Sequence, residues 1–345
     1  MVGDDAIGGA EQVLAQIDRA LVAAGHESVV VAGVNSRVCG TLVATTPAPE
    51  PIAEGYYAYR YLEHARKIKE ALNRSRIDLV HMHGCDFHEF IPEVDVPVLA
   101  TLHLPPSWYP QSIYSLERPR LYLNCVSASQ RMAAPDSALM VRTIENGVSI
   151  PDFAPLPAAH RNGAVMLCRI CPEKGTHIGI AAARKAGVPL TIAGRAFGYP
   201  EHVAYFNRHV LPALNAHTTF LGPLGRSQKL KLLQSASCLL LPSLAPETSS
   251  LVSMEALACG TPVIAMRSGT LPDIIEHGKT GFLVNSADEM ADAIGLVHHL
   301  EPAICRRVAI ERFSADRMVR EYLRLYEQLI TREESAVHTG LRRTG

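Results

Sequence analysis

Short apolar runs alternate with stretches of helical periodicity along nearly the whole chain, and this most restricts the fold. Repeated strand–helix–strand units pack as parallel sheets covered by helices. In the first half the strand candidates are Ser28–Gly33, Leu79–His83, Val96–His103, Leu121–Ser127 and Val141–Glu145, with helices such as Gly9–Ala24 and Tyr56–Arg74 between them. In the second half they are Ala164–Arg169, Leu190–Gly194, Thr218–Leu221, Cys238–Pro242, Val263–Met266 and Gly281–Val284. Helices over 174–186, 226–235, 250–259, 271–276 and 287–299 connect these. The rhythm breaks in Gly147–Arg161, where Pro151, Pro155 and Pro157 crowd a stretch without periodicity.

The expected architecture is therefore α/β, with two doubly wound domains whose ligand cleft lies at the carboxyl ends of their strands. Residues 1–150 form the first domain and 151–314 the second. A helix over 315–331 carries Met318, Tyr322, Leu325, Tyr326 and Leu329 on one stripe, and the polar tail 332–345 reads as disordered. Only Met1 and Val2 precede the Gly8-Gly9 turn, so the first domain is expected to lack its opening strand.

At 345 residues, 48% of them hydrophobic and 19% charged, the chain can bury two cores. A formal charge of −1 offers no global field for nucleic acid, so any polyanion must be held by a local cluster. The acidic start Met1–Asp5 lacks a secretory apolar region, and no run approaches the ~18 apolar residues of a membrane span. Eight scattered cysteines read as buried thiols in a reducing cytoplasm. Cys168-x-x-Cys171 has no second pair at zinc-ribbon spacing, so no metal is expected there.

Two segments carry chemistry. In Pro246–Pro262, Glu247 closes a loop after a strand, and Ser249 or Ser250 can cap the helix that follows. Glu255 then lies roughly 9 Å along that helix. Two carboxylates so spaced can grip hydroxyls at opposite ends of one extended ligand, with the positive helix end between them as a seat for phosphate. In Arg169–Gly175, Lys174 stands near a helix N-terminus, against the dipole, which makes sense if an anion sits there with Arg169 as its forked partner. Taken singly, each segment also reads as ordinary surface charge.

Together these segments, with Gly269–Val284, resemble the family 4 retaining glycosyltransferases (group 1), which have the GT-B fold of two Rossmann-like domains facing a central cleft. The first half adds Gly8-Gly9-Ala-Glu11, Gly25-His26-Glu27, Asp78–His83, Thr101-Leu-His103 and Asn146-Gly147-Val148. The resemblance implies that Glu247 binds donor-sugar hydroxyls and supports charge at the anomeric carbon, and that Glu255 binds the ribose. It further implies that Arg169 and Lys174 hold the diphosphate as it leaves, and that Ser249, Ser250 and Leu251 offer backbone N–H groups. His103 would face the donor sugar as a hydrogen-bonding group, and Gly8 and Gly9 would let backbone approach the phosphates or the acceptor. It implies no cofactor and no metal. The implied partners are a UDP-, GDP- or ADP-linked sugar and a hydroxyl acceptor, and the expected location is cytoplasmic.

The chain departs from the family pattern in three places: Thr248-Ser249-Ser250 replaces an aromatic Gly-containing step, Cys168 replaces a glycine, and the opening strand is missing. A sugar-nucleotide epimerase on the same scaffold, or a non-catalytic sugar-nucleotide binder, are the alternatives. Gly278-Lys279-Thr280 lacks the glycine a P-loop needs at Asp273 and reads as a turn. His81 and His83 share one strand face and read as packing or hydrogen-bonding groups. The helix Tyr56–Arg76 carries a basic face that could touch an anionic membrane, though a solvated face is the commoner explanation.

Overall fold

The computed structural model describes every residue except Asp4, 48–55, 156–160 and 342–345; Pro157 of the expected linker falls outside this set. The chain divides into two compact units, Met1–Glu145 with Asp316–Gly345, and Asn146–Ala315. It therefore passes from one unit to the other twice.

In the first unit, α1 (Gly9–Ala23) leads into β1 (Val29–Gly33), β2 (Thr41–Thr45), α2 (Tyr56–Arg74), β3 (Val80–Met82), β4 (Val98–Leu102), β5 (Leu121–Cys125) and α3 (Ala128–Ala133). Among the described residues no strand precedes α1, and the parallel strands fall into two groups, β1-β2 and β3-β4-β5. Val2 nevertheless is buried with Ala15, Val30 and Ala32, and its carbonyl accepts from the Arg37 N–H at 2.9 Å. The short β2 escapes the sequence pattern because its alternation is shallow, with only Val43 and Thr45 buried. The expected strand Val141–Glu145 does not form a regular ladder. Val141 N–H bonds to Leu123 and Ile144 N–H to Cys125, so three residues on one side advance against two on the other. That mismatch is bulge-like and breaks the pairing.

In the second unit the order is β6 (Ala164–Leu167), α4 (Thr176–Ala186), β7 (Leu190–Ala193), α5 (Pro200–Tyr205), β8 (Thr218–Phe220), α6 (Arg226–Ser235) and β9 (Cys238–Leu241). There follow α7 (Leu251–Ala258), β10 (Val263–Met266), α8 (Leu271–Ile274), β11 (Gly281–Val284), α9 (Ala287–Leu296) and α10 (Pro302–Arg312). The strands are all parallel in the order β11-β10-β9-β6-β7-β8. β9 has all four residues buried, as a strand covered on both faces requires. The order reverses between β6 and β9, which pair directly through Ala164–Cys238 and Val165–Leu239. Such a switch point is where loops diverge above the strand ends and a ligand can enter.

The terminal helix α11 (Ala315–Leu341) belongs to the first unit from Asp316 onward. Met318, Tyr322, Leu325, Tyr326 and Leu329 are all buried, so the stripe seen in the sequence is its packing face. Its backbone stays helical past Thr331, where the polar composition reads as disordered, because strong helix formers such as Arg332, Glu333, Glu334 and Ala336 follow. The rest of that expected tail, 342–345, lies outside the described residues.

Candidate functional site

The loops after β6 and β9 start side by side and stay together. The carbonyl of Glu173 accepts from the N–H groups of Leu244 at 2.8 Å and Ala245 at 3.3 Å. Gly175 sits in the left-handed region at φ +61°, and a Cβ there would strike the Pro242 carbonyl, so only glycine suits this close approach. Lys174 does not begin α4. It ends a short 3-10 turn, Pro172–Lys174, and Gly175 separates it from the helix.

This pairing of loops brings Lys174 to Glu247, with Nζ 2.5 Å from Oε1. Ser243 donates its hydroxyl to the same carboxylate oxygen. Arg169 is exposed, and its guanidinium has no hydrogen bond or ion pair among the described residues. The part-buried thiol of Cys168 lies within the electrostatic reach of all three charges. Burial pushes it up to about 11, Lys174 and Arg169 pull it down, and Glu247 raises it. Three expected site residues thus gather at the switch point, around a cysteine too protonated to act as a nucleophile at neutral pH.

A third loop locks Glu247 from below. Gly269, at φ +54°, packs against the Glu247 backbone, and Thr270 N–H donates to the Glu247 carbonyl at 2.8 Å. Ser268 donates to the Ala245 carbonyl at 2.7 Å.

α7 begins at Leu251, with Ser250 at the N-cap position. The Ser250 hydroxyl does not cap the helix as expected, and is hydrogen-bonded instead with the Ser253 hydroxyl at 2.7 Å. Ser249 receives a hydrogen bond from Asn146 Nδ2 at 2.9 Å. The helix-end N–H groups, Leu251 included, therefore gain no side-chain partner from Ser250. One helical turn on, Glu255 is 3% exposed. Burial raises its pKa while Lys229 of α6, 2.5 Å away, pulls it down. The Lys229 ammonium also stands 5.6 Å from the centre of the Phe153 ring. Lys229 and Ser243 carry no motif in the sequence, and only their contacts reveal them.

In the first unit, His83 and His103 follow the carboxyl ends of the paired strands β3 and β4. Nδ1 of His83 is 3.0 Å from Nε2 of His103, and its Nε2 is 3.2 Å from Nδ1 of His81. His81 reaches Thr101 Oγ1 through Nε2 and the Tyr326 hydroxyl through Nδ1, both at 2.6 Å. Thr101 gives its proton to Asn124 Oδ1 at 2.7 Å, so the Nε2 of His81 donates and its Nδ1 accepts. Burial lowers His103 to about 4 and His81 to about 3, and holds His83 well below the usual range; the neighbouring imidazoles add to this for His81 and His83. The three rings are neutral at pH 7. The Gly8-Gly9 pair opens α1, with Gly8 at the N-cap in extended backbone. The Glu11 carboxylate folds back over Gly8 and occupies the space a Cβ would take there.

Two family profiles between them match most of the chain. The profile of Glycosyltransferase Family 4 matches residues 7–149, and that of Glycosyl transferases group 1 matches residues 153–311. The chain belongs to the group 1, family 4 glycosyltransferases. A D-inositol 3-phosphate glycosyltransferase of Mycolicibacterium smegmatis is 31% identical over 215 residues, 56% of this chain and 49% of that protein. The Mycobacterium avium protein of that name is 38% identical over 143 residues, 39% of this chain and 33% of its own length. The chain spans between a third and just over half of the length of the curated relatives it matches. Among solved structures, sucrose-phosphate synthase from Thermosynechococcus elongatus superposes with a TM-score of 0.74 at 19% identity, covering 94% of both chains. HepE of Anabaena, solved with UDP-glucose, gives 0.72 at 20% identity, covering 95% of this chain and 98% of that one. At such identities the likeness shows the fold, and this family member has the GT-B fold. Among the described residues no helix is long and apolar enough to cross a membrane.

Proposed function

We propose that the chain is a retaining glycosyltransferase that moves a hexosyl group from a nucleotide-diphosphate sugar to a hydroxyl acceptor. The observation that carries this reading is the Lys174–Glu247 pair at the switch point, 2.5 Å apart, beside an unpaired Arg169 and the start of α7. A diphosphate leaving group gains negative charge as the glycosidic bond breaks. Arg169 and Lys174 would meet that charge, Lys174 in part-buried surroundings where it counts for more than in water. Glu247 would bind the sugar hydroxyls and support positive charge at the anomeric carbon, without being a nucleophile. The N–H groups of Ser250 and Leu251 would receive phosphate oxygens, and Glu255 would receive the ribose hydroxyls in place of Lys229. His103 is neutral, and we assign it a hydrogen-bonding role toward the sugar rather than that of a base. The positive charge comes from side chains, so no cofactor or metal is required for departure of the diphosphate.

Relatives named for D-inositol 3-phosphate make a phosphorylated polyol the first acceptor to try, and the UDP-glucose bound to HepE makes UDP-glucose the first donor. A second reading, a sugar-nucleotide binder without transfer, is favoured by the separation of the first unit's strands into β1-β2 and β3-β4-β5. Calorimetric titration with UDP, GDP and ADP and their sugar conjugates, followed by a transfer assay on the tightest, tests both. Binding with transfer supports the enzyme, binding without transfer the binder, and no binding to any nucleotide by the folded chain removes both.

A further inference from the structure

Behind the Arg169–Lys174 loop, on the second unit, lies a cluster the reaction does not use. Cys171 precedes the turn that carries Glu173, and His202 projects from α5. A thiol sulfur, a carboxylate oxygen and an imidazole nitrogen from these residues all lie within 4.8 Å of one another. Cys171 is fully buried and His202 is 5% exposed. Nδ1 of His202 has no hydrogen-bond partner, and Nε2 is 3.9 Å from the exposed Glu201 carboxylate. Buried polar atoms left unpaired are rare, and a site for an ion is one of the ordinary reasons for one.

We propose that Cys171, Glu173 and His202 bind one Zn²⁺ ion, with water as the fourth ligand. One sulfur, one nitrogen and one oxygen suit this borderline-soft ion better than Mg²⁺ or Ca²⁺, which take oxygen ligands. Tetrahedral coordination at Zn–ligand distances of 2.0–2.3 Å sets the ligand atoms about 3.5 Å apart. The ligand atoms therefore need to close by no more than about 1.3 Å, a shift that side-chain rotation can supply. Glu173 also holds the β9 loop through its carbonyl, and Lys174 is its neighbour. A bound ion would clamp the loop that carries Arg169 and Lys174. The ion acts on the positioning of the loop and takes no part in bond breaking.

The test is titration of the full chain with Co²⁺, which reports a thiolate ligand by its charge-transfer absorption, followed by displacement with Zn²⁺. One equivalent is expected to give the thiolate band, and Cys171→Ser should abolish it. His202→Gln should weaken Zn²⁺ at least about 100-fold, since losing a ligand costs more than losing an outer-shell partner. Cys168→Ser should leave the band intact, because its thiol is not in the cluster. Thermal melts establish that each variant is folded, and if Cys171→Ser is not, His202→Gln decides alone. A native chain without the thiolate band, or a band and affinity unchanged in either ligand variant, overturns the proposal.

Discussion

Gly269 is pressed against Glu247 so closely that a Cβ at 269 would stand 2.8 Å from the Glu247 carbonyl carbon. The φ of +54° at Gly269 adds a second obstacle to any side chain. Gly269→Ala should therefore shift the Glu247 loop, costing about 1–3 kcal/mol of stability. Transfer should fall further than the melting temperature suggests, because misplacing a positioned group by about 1 Å can cost 10²-fold. Parallel melting curves and initial rates check this, and full activity in a folded variant would deny Glu247 its role.

Glu247→Gln keeps the shape and removes the charge. It should lower the transfer rate by about a hundredfold or more, in line with losing one preorganised electrostatic contact. Nucleotide affinity, read by calorimetry, should stay within a few fold. A rate within a few fold of the native chain would sink the assignment.

Arg169→Ala with Lys174→Ala should weaken UDP or its counterpart by more than tenfold while uridine, or the matching nucleoside, binds as before. Charge-assisted hydrogen bonds to phosphate are about twice as strong as neutral ones, so their loss falls on the diphosphate. Equal losses for nucleotide and nucleoside would mean that the loop had merely collapsed.

Lys229→Met removes the ammonium paired with the buried Glu255 and leaves Arg226 as the cation acting on it. The expected cost is about 3 kcal/mol, the low end for breaking a buried pair, because Lys229 keeps 17% exposure. The double variant Lys229→Met with Glu255→Gln should recover most of that loss in urea unfolding. An unrecovered loss would assign Lys229 to packing against Phe153.

The histidines of the first unit give a pH signature. In the unfolded chain each titrates near 6.5, whereas burial holds His103 near 4 and His81 near 3, with His83 well below its ordinary value. Between about pH 6.5 and 4 the unfolded chain binds protons that the folded chain refuses. Stability is then complete above 6.5 and declines as pH falls, by up to about 1.4 kcal/mol per pH unit for each histidine. Glu255 has a raised pKa and opposes this near its own titration, in the sense of favouring the folded state in acid. Urea unfolding from pH 7.5 to 4.5 should show the decline, and His81→Gln with His83→Gln should flatten it. An equal slope in that variant would place the effect elsewhere.

Much of this was legible before any coordinate. β6, β9 and β10 are apolar runs that read as buried strands, and the 3.6-residue stripe of α11 named its packing face. The placement of Arg169, Lys174 and Glu247 after strand ends was readable, and doubly wound sheets bind their ligands at such ends. The contacts of Lys229 with Glu255 and of Ser243 with Glu247 were not readable, since they depend on how α6 and the β9 loop are set, not on any local period. The failed cap at Ser250 was hidden for a similar reason: Ser253, one turn along, competes for the same hydroxyl. His81 and His83 read as packing or hydrogen-bonding groups, but the partners were not readable, since the network through Thr101, Asn124 and Tyr326 joins residues up to 245 positions apart.

The two crossings of the chain set an order of events during synthesis. Asn146–Ala315 is contiguous and can fold as soon as it leaves the ribosome, whereas Met1–Glu145 must wait for Tyr322 and Tyr326 to arrive from beyond Asp316. For the time taken to translate some 170 residues, about 10–30 s at common elongation rates, the histidines of the first unit lack their tyrosine neighbours. The half made first is thus the half finished last, and a chain interrupted after α10 would carry a complete second unit on an unfinished first one.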